Sequence, residues 1–298
     1  MSRASSRRAA ERQGVRKTYK LYVGGAFPRS ESGHSYEVVD HQGAFVANAA
    51  LASRKDARDA VVAARKAFGG WAGRTAYNRA QVLYRVAEVM EDRRPQFEAA
   101  VRQSEGLNAS GATAAVDAAV DRLVWYAGWA DKLTQVVGNA NPVAGPFFNL
   151  STPEPTGVVA VLAPQGSSLL GLVSVIAPVV VTGNTAVVVS SFARPLPAVT
   201  LGEVLATSDV PGGVVNLLTG DAAALGPWLA SHMDVNAIDL TGVAGDAALA
   251  TELEVASADN LKRVRRAPAA EPDWTASPGL DTMTDFVEIK TVWHPMGV

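Results

Sequence analysis

Two rhythms divide the chain. Over residues 53–137 apolar side chains recur every three to four positions, the period of helices that bury one face. Ser53 and Asp56 make a capping-box pair ahead of Lys55–Phe68, where Val61, Ala64, Ala67 and Phe68 share a face. Val82, Val86, Val89 and Met90 carry a second helix; Pro95 interrupts it, and Phe97 and Val101 resume the pattern. A third helix is predicted over Ala112–Val137, with Trp125 and Trp129 one turn apart and read as core packing. From Gly157 the rhythm changes to short, uninterrupted apolar runs. Gly157–Ala163, Thr185–Val189, Val214–Leu218 and Val235–Leu240 read as strands. Between and after them lie the apolar segment Ser168–Thr182, a helix opened by Pro195 and Pro197, Ala222–Ser231, and a helix near Ala244–Ala256. Apolar strands alternating with helices, with Gly at strand ends, predict βαβ units: an α/β fold with a Rossmann-like, doubly wound parallel sheet behind N-terminal helices. Its ligand crevice belongs at the carboxyl ends of the strands.

The flanks differ. Tyr19–Phe27 reads as a strand turning at Gly24-Gly25, and Ala267–Leu280 is a linker rich in Pro, Ala, Ser and Gly. Phe286–Trp293 alternates as a strand and needs a partner, in the same sheet or in another chain. Charge marks the other end: residues 1–20 hold seven Arg or Lys against Glu11, a local +6, leaving −8 for the rest of a chain whose net charge is −2. Lacking an apolar run, that start reads as a disordered basic tail over 1–18 rather than a targeting peptide. It has no aromatics interleaved to read nucleic acid, and the longest apolar stretch is too short to span a membrane. No nucleic acid or membrane partner is expected, and the location is read as cytoplasmic.

The composition excludes chemistry more sharply than it assigns any. The 298 residues contain no cysteine, which removes disulfides, thiolate metal sites and cysteine nucleophiles. His34, His41, His232 and His294 are scattered and read as structural, so no metal site is expected. Ser167-Ser168 reads as a helix cap, and Glu91-Asp92 as a solvated helix face.

The segments KLYVGGAF, AVVAARKAFGGWAGRTAYNRAQVLYRVAEVM, EPTGVVAVLAP, GNTAVVV, VPGGVVNLLTG and HMDVNAIDLTG, in this order and spacing, resemble the aldehyde dehydrogenase superfamily over nearly all of residues 18–243, and again over 286–297. The resemblance implies a nucleotide-binding-type domain over 19–265 with a hairpin at 141–156, a linker at 266–284, and an oligomerisation strand at 285–298. It places cofactor contacts at Pro164, Gly220, Thr241 and Gly242. The departures matter more. In the family the LTG segment leads to a domain bearing the nucleophilic cysteine and a glutamate base; here Thr241-Gly242 leads to one helix, a short Leu261–Arg265 segment, the linker and FVEIKTVWHPMG. No catalytic residue is therefore assigned. The family's oxyanion-donating asparagine falls on Gly166, its ribose-binding lysine and glutamate on Val189 and Phe192, and its serine after LTG on Val243. NAD or NADP is not required, and is bound weakly at most, through backbone N–H groups at the helix start after Gly242.

Three functions compete. The first is a non-catalytic subunit that assembles with a full-length aldehyde dehydrogenase paralogue. The second is a homo-oligomeric binding protein with a remodelled, apolar nucleotide crevice. The third is an oxidoreductase acting on aldehydes through an unrecognised site. On the first reading, removing Asp285–Val298 uncouples assembly and leaves the parallel-sheet domain folded.

Overall fold

The computed structural model describes residues 16–297; the basic start, through residue 15, lies outside the described residues. A first sheet is invisible in the periodicity. β1 (Thr18–Tyr19), β2 (Ser35–Val39) and β3 (Phe45–Ala50) make three strands ordered β1-β3-β2, with Val38, Ala47 and Ala49 buried. The Tyr19–Phe27 segment turns where expected, at Gly24 and Gly25 with φ of +62° and +83°, a region that favours glycine. Beyond Tyr19 it runs as a turn rather than a strand, bridging Tyr22 to Leu217.

Helices follow as the 3.6-residue period dictates. α1 (Arg54–Ala72) opens with the Ser53/Asp56 capping box, both reciprocal bonds present. Pro95 starts a helix rather than kinking one: α2 (Ala76–Asp92) ends, and α3 (Arg94–Glu105) begins with the proline in its first turn. The long third helix is two, α4 (Ala109–Trp129) and α5 (Leu133–Val137). Trp125 and Trp129 pack half-buried against the core edge.

After β4 (Asn139–Ala140) and β5 (Phe147–Pro155) comes the parallel sheet. Its elements are β6 (Val158–Leu162), α6 (Leu170–Val181), β7 (Thr185–Val189), α7 (Leu196–Thr207), β8 (Val215–Leu218), α8 (Ala222–Ser231), β9 (Ala237–Asp239), α9 (Ala247–Ser257) and β10 (Arg263–Arg265). The order is β10-β9-β6-β7-β8, every pair parallel. Every residue of β6 and β7 is buried, which is why both read as unbroken apolar runs. Alternate side chains feed two cores. Val159, Val161, Ala186 and Val188 face α2, α4, α6 and α7; Val158, Ala160, Leu162, Val187 and Val189 face α1, α8 and α9. The chain steps outward from β6 to β8 and returns beside β6 as β9, so the topological switch lies between β6 and β9.

The C-terminal part holds α10 (Asp281–Thr284) and β11 (Val287–Pro295). β11 runs antiparallel to β5 through nine residue pairs, from Val287 opposite Pro155 to Pro295 opposite Phe147, in a sheet ordered β11-β5-β4. No helix among the described residues is long and apolar enough to cross a membrane.

Candidate functional site

The switch point brings together Pro164, just past β6, and Thr241-Gly242, just past β9. Gly242 is there for packing. A Cβ on it would lie 2.2 Å from the Ala163 carbonyl oxygen and 2.4 Å from that of Leu162, so the two strand ends meet backbone to backbone. Gly220 is elsewhere, past β8 at the far side of the sheet, with Leu225 and Ala52 as its neighbours.

The chain itself engages most polar groups of this crevice, although Asp239 Oδ2 is buried with no hydrogen-bond partner. Thr241 donates its backbone N–H (2.8 Å) and its hydroxyl (2.5 Å) to Asp239 Oδ1. Burial drives the Asp239 carboxyl well above the usual carboxylate range, and Arg265, 3.8 Å from Oδ2, opposes that only in part. The same guanidinium lies 3.4 Å from Asp285 Oδ2, tying the sheet edge to the C-terminal part. The helix start expected to hold an anion is also satisfied. Residues Thr241–Val243 form a 3-10 turn in which Val243 N–H donates to Leu240 and Ala244 N–H to Thr241. α9 begins only at Ala247, capped by the Asp246 carboxylate on Leu249 N–H. A carboxylate at that cap repels the phosphate that a bare helix start attracts.

The residues present do not fit the adenosine end of a dinucleotide. Val189 and Val243 are core residues, buried with Ile238 and Leu240 rather than lining an open cleft. Phe192 stacks on Tyr36, centroids 4.5 Å apart and rings 17° from parallel. Neither Val nor Phe offers a ribose diol a hydrogen bond, and an unmet polar group costs about 1–3 kcal/mol.

On the other side of Pro164 the backbone of Gly166 and Ser167 opens onto a groove of about 550 Å³ floored by Leu107, Ala114, Ala118 and Leu170. Both amides are filled. Glu271 accepts from Gly166 N–H at 2.8 Å and from Ser167 N–H at 2.7 Å. The serine pair is engaged as well, though neither residue is the N-cap of α6, which is Leu169 with no side-chain cap bond: Ser167 Oγ accepts from Gly171 N–H, and Ser168 donates its N–H and hydroxyl to Glu105 at 2.7 and 2.6 Å. Among the histidines, His232 Nδ1 accepts from Asp234 N–H and its ring packs on Trp228, burial lowering its basicity. No group of three His, Asp or Glu among the described residues is placed to hold a metal ion. Sequence reasoning missed Asp239, Glu105 and Glu271. A charged residue ending an apolar strand could have flagged the first; Glu271 reaches Gly166 across 105 positions, from a segment with no periodicity.

A model described as "Aldehyde dehydrogenase family" matches residues 27–266. An aldehyde dehydrogenase of Davidiella tassiana is 32% identical over 248 residues, covering 82% of this chain and 49% of that protein. D-glyceraldehyde dehydrogenase (NADP(+)) of Thermoplasma acidophilum is 30% identical over 224 residues, 75% of this chain and 45% of its own. Among solved structures, PnpE in complex with nicotinamide adenine dinucleotide superimposes with a TM-score of 0.78 at 29% identity, covering 83% of this chain and 50% of that one. The chain thus spans about half the length of the relatives it matches.

Proposed function

This chain belongs to the aldehyde dehydrogenase family, and on that premise we propose that it is a non-catalytic, cytoplasmic subunit that assembles with a full-length member of the family. The observation that carries the reading is the sheet of β5 and β11. Its nine-pair ladder leaves the outer edge of β11 without a partner among the described residues. Its faces expose Phe148, Leu150, Ile289, Val292 and Trp293, each between 39% and 57% accessible. A long, open, apolar edge strand is a template for pairing with another chain. An apolar patch of this kind marks an assembly surface more often than bare exterior.

Three features support the non-catalytic half of the proposal. The chain has no cysteine to attack an aldehyde. Gly166 has no side chain to donate to a developing oxyanion. Most polar groups of the crevice are satisfied internally, as Thr241 and Glu271 illustrate.

The test is turnover. The purified chain, given aldehydes with NAD or NADP, is expected to form no reduced cofactor above the enzyme-free blank. Sustained reduction by the cysteine-free protein would overturn the reading and move the search to an unrecognised oxidoreductase site.

A further inference from the structure

The stretch that composition marks as a linker is anchored. Arg122, buried in α4, donates Nη1 to Ser174 Oγ at 2.8 Å and Nη2 to the carbonyls of Trp274 at 2.6 Å and Ala276 at 3.0 Å. Four residues along the same helix, Tyr126 OH bonds Thr282 Oγ1 at 2.8 Å. Trp274 and Leu280 pack half-buried against the core around α4 and α6. Between these anchors the stretch has almost no regular backbone pairing of its own; Ala276 N–H to Asp273 is a local turn bond.

The chemistry at its leading end is specific. Glu271 places one oxygen on Gly166 N–H and the other on Ser167 N–H, and Trp274 Nε1 donates to the second oxygen at 3.0 Å. Three donors thus converge on one carboxylate, and bonds to an ionised acceptor are about twice as strong as neutral ones. The position is made for it. A Cβ on residue 166 would sit 2.9 Å from Glu271 Oε2, so the missing side chain at Gly166 is what lets the carboxylate in. Arg194 donates to the Gly166 carbonyl and holds the loop's orientation.

We propose that residues 271–282 form an intrasteric strap, with the Glu271 carboxylate as an internal ligand that occupies the Gly166/Ser167 amides and denies them to external carboxylates. This deepens the reading above and rests on its claim that the crevice runs no chemistry: an amide pair that could receive a substrate's oxygen instead receives the chain's own. Few backbone bonds hold the leading end of the strap ahead of the Arg122 and Tyr126 anchors, so that end loosens locally, without global unfolding, once the carboxylate is removed.

The experiment is chemical rescue in the full chain. Glu271→Ala is expected to speed proteolytic cleavage within 267–280 at least about tenfold, the factor for losing even one of the three charge-assisted hydrogen bonds it removes. Added formate, against chloride at equal ionic strength, is expected to restore protection and raise the melting temperature of the variant while leaving the wild type unmoved. Unchanged cleavage in the variant, or a formate effect equal in both proteins, would overturn the proposal. Should the variant fail to fold, amide exchange in the wild type decides: the strap requires Gly166 and Ser167 N–H to exchange as slowly as the first turn of α6, and exchange at the rate of free peptide contradicts it. These outcomes are separable from the subunit reading. Turnover by the wild type would sink that reading and the strap that rests on it, whereas absent rescue would sink the strap alone.

Discussion

Phe286→Ala is expected to destabilise the chain by about 3–5 kcal/mol, the range for deleting a large buried aromatic side chain. Phe286 is fully buried, among the largest enclosed side chains of the molecule, with Met283 and Val287 buried beside it. Its carbonyl accepts from Asn184 Nδ2 at 2.8 Å and from Thr156 N–H at 3.3 Å, and Asn184 also accepts from Gly157 N–H where β6 begins. The root of β11 is therefore a core residue of the parallel-sheet domain, while the strand beyond it is exposed. This corrects the deletion drawn from the sequence alone. Removing Asp285–Val298 takes Phe286 out of the core as well as the edge strand, so it is expected to unfold the domain rather than only uncouple assembly. A cut after Val287 separates the two roles. Urea denaturation of Phe286→Ala measures the cost, and a loss below about 1 kcal/mol would mean that this side chain is not part of the core at all.

Gly242→Ala is expected to cost about 3 kcal/mol or more, or to leave no soluble protein, at the upper end of overpacking effects. The added methyl meets the carbonyl oxygens of Leu162 and Ala163, backbone atoms of the central strand's end that have nowhere to go. Gly220→Ala is the control. Its methyl would lie 3.3 Å from Leu225 Cδ1, the end of a flexible side chain, and the effect is expected within about 1 kcal/mol of zero. Equal, small effects at both positions, read from thermal melts, would refute the backbone contact between β6 and β9. The contrast also separates two residues that the sequence grouped as cofactor contacts: only Gly242 stands at the switch point.

The parts of the fold that are legible in the sequence are those with one dominant force. β6 and β7 are buried on both faces, so hydrophobicity alone writes them as runs. Ser53 and Asp56 announce α1 because a cap is a local device. β10, Arg-Val-Arg at the sheet edge, is hidden because its arginines answer to Glu288, Asp239 and Asp285 rather than to a core. β2 and β3 are hidden because their apolar positions are few and mostly small. At the site, Gly166, Val189 and Phe192 stand out only against the family pattern. Val189 belongs to the core, and Phe192 has Tyr36 for a partner, which no local spacing shows. Glu271 was unreadable for the same reason that it matters: a contact across the fold, made by a side chain from a segment whose composition says only that it is irregular.

The central claim is that this chain works as a subunit through β11, and the most direct measurement is native mass spectrometry of the tagged chain purified from its source cells. The account predicts a stoichiometric complex with a second, heavier chain of the aldehyde dehydrogenase family, lost when residues 288–298 are removed while the remaining domain still melts cooperatively. A monomer, or a homo-oligomer with no second chain, would contradict it.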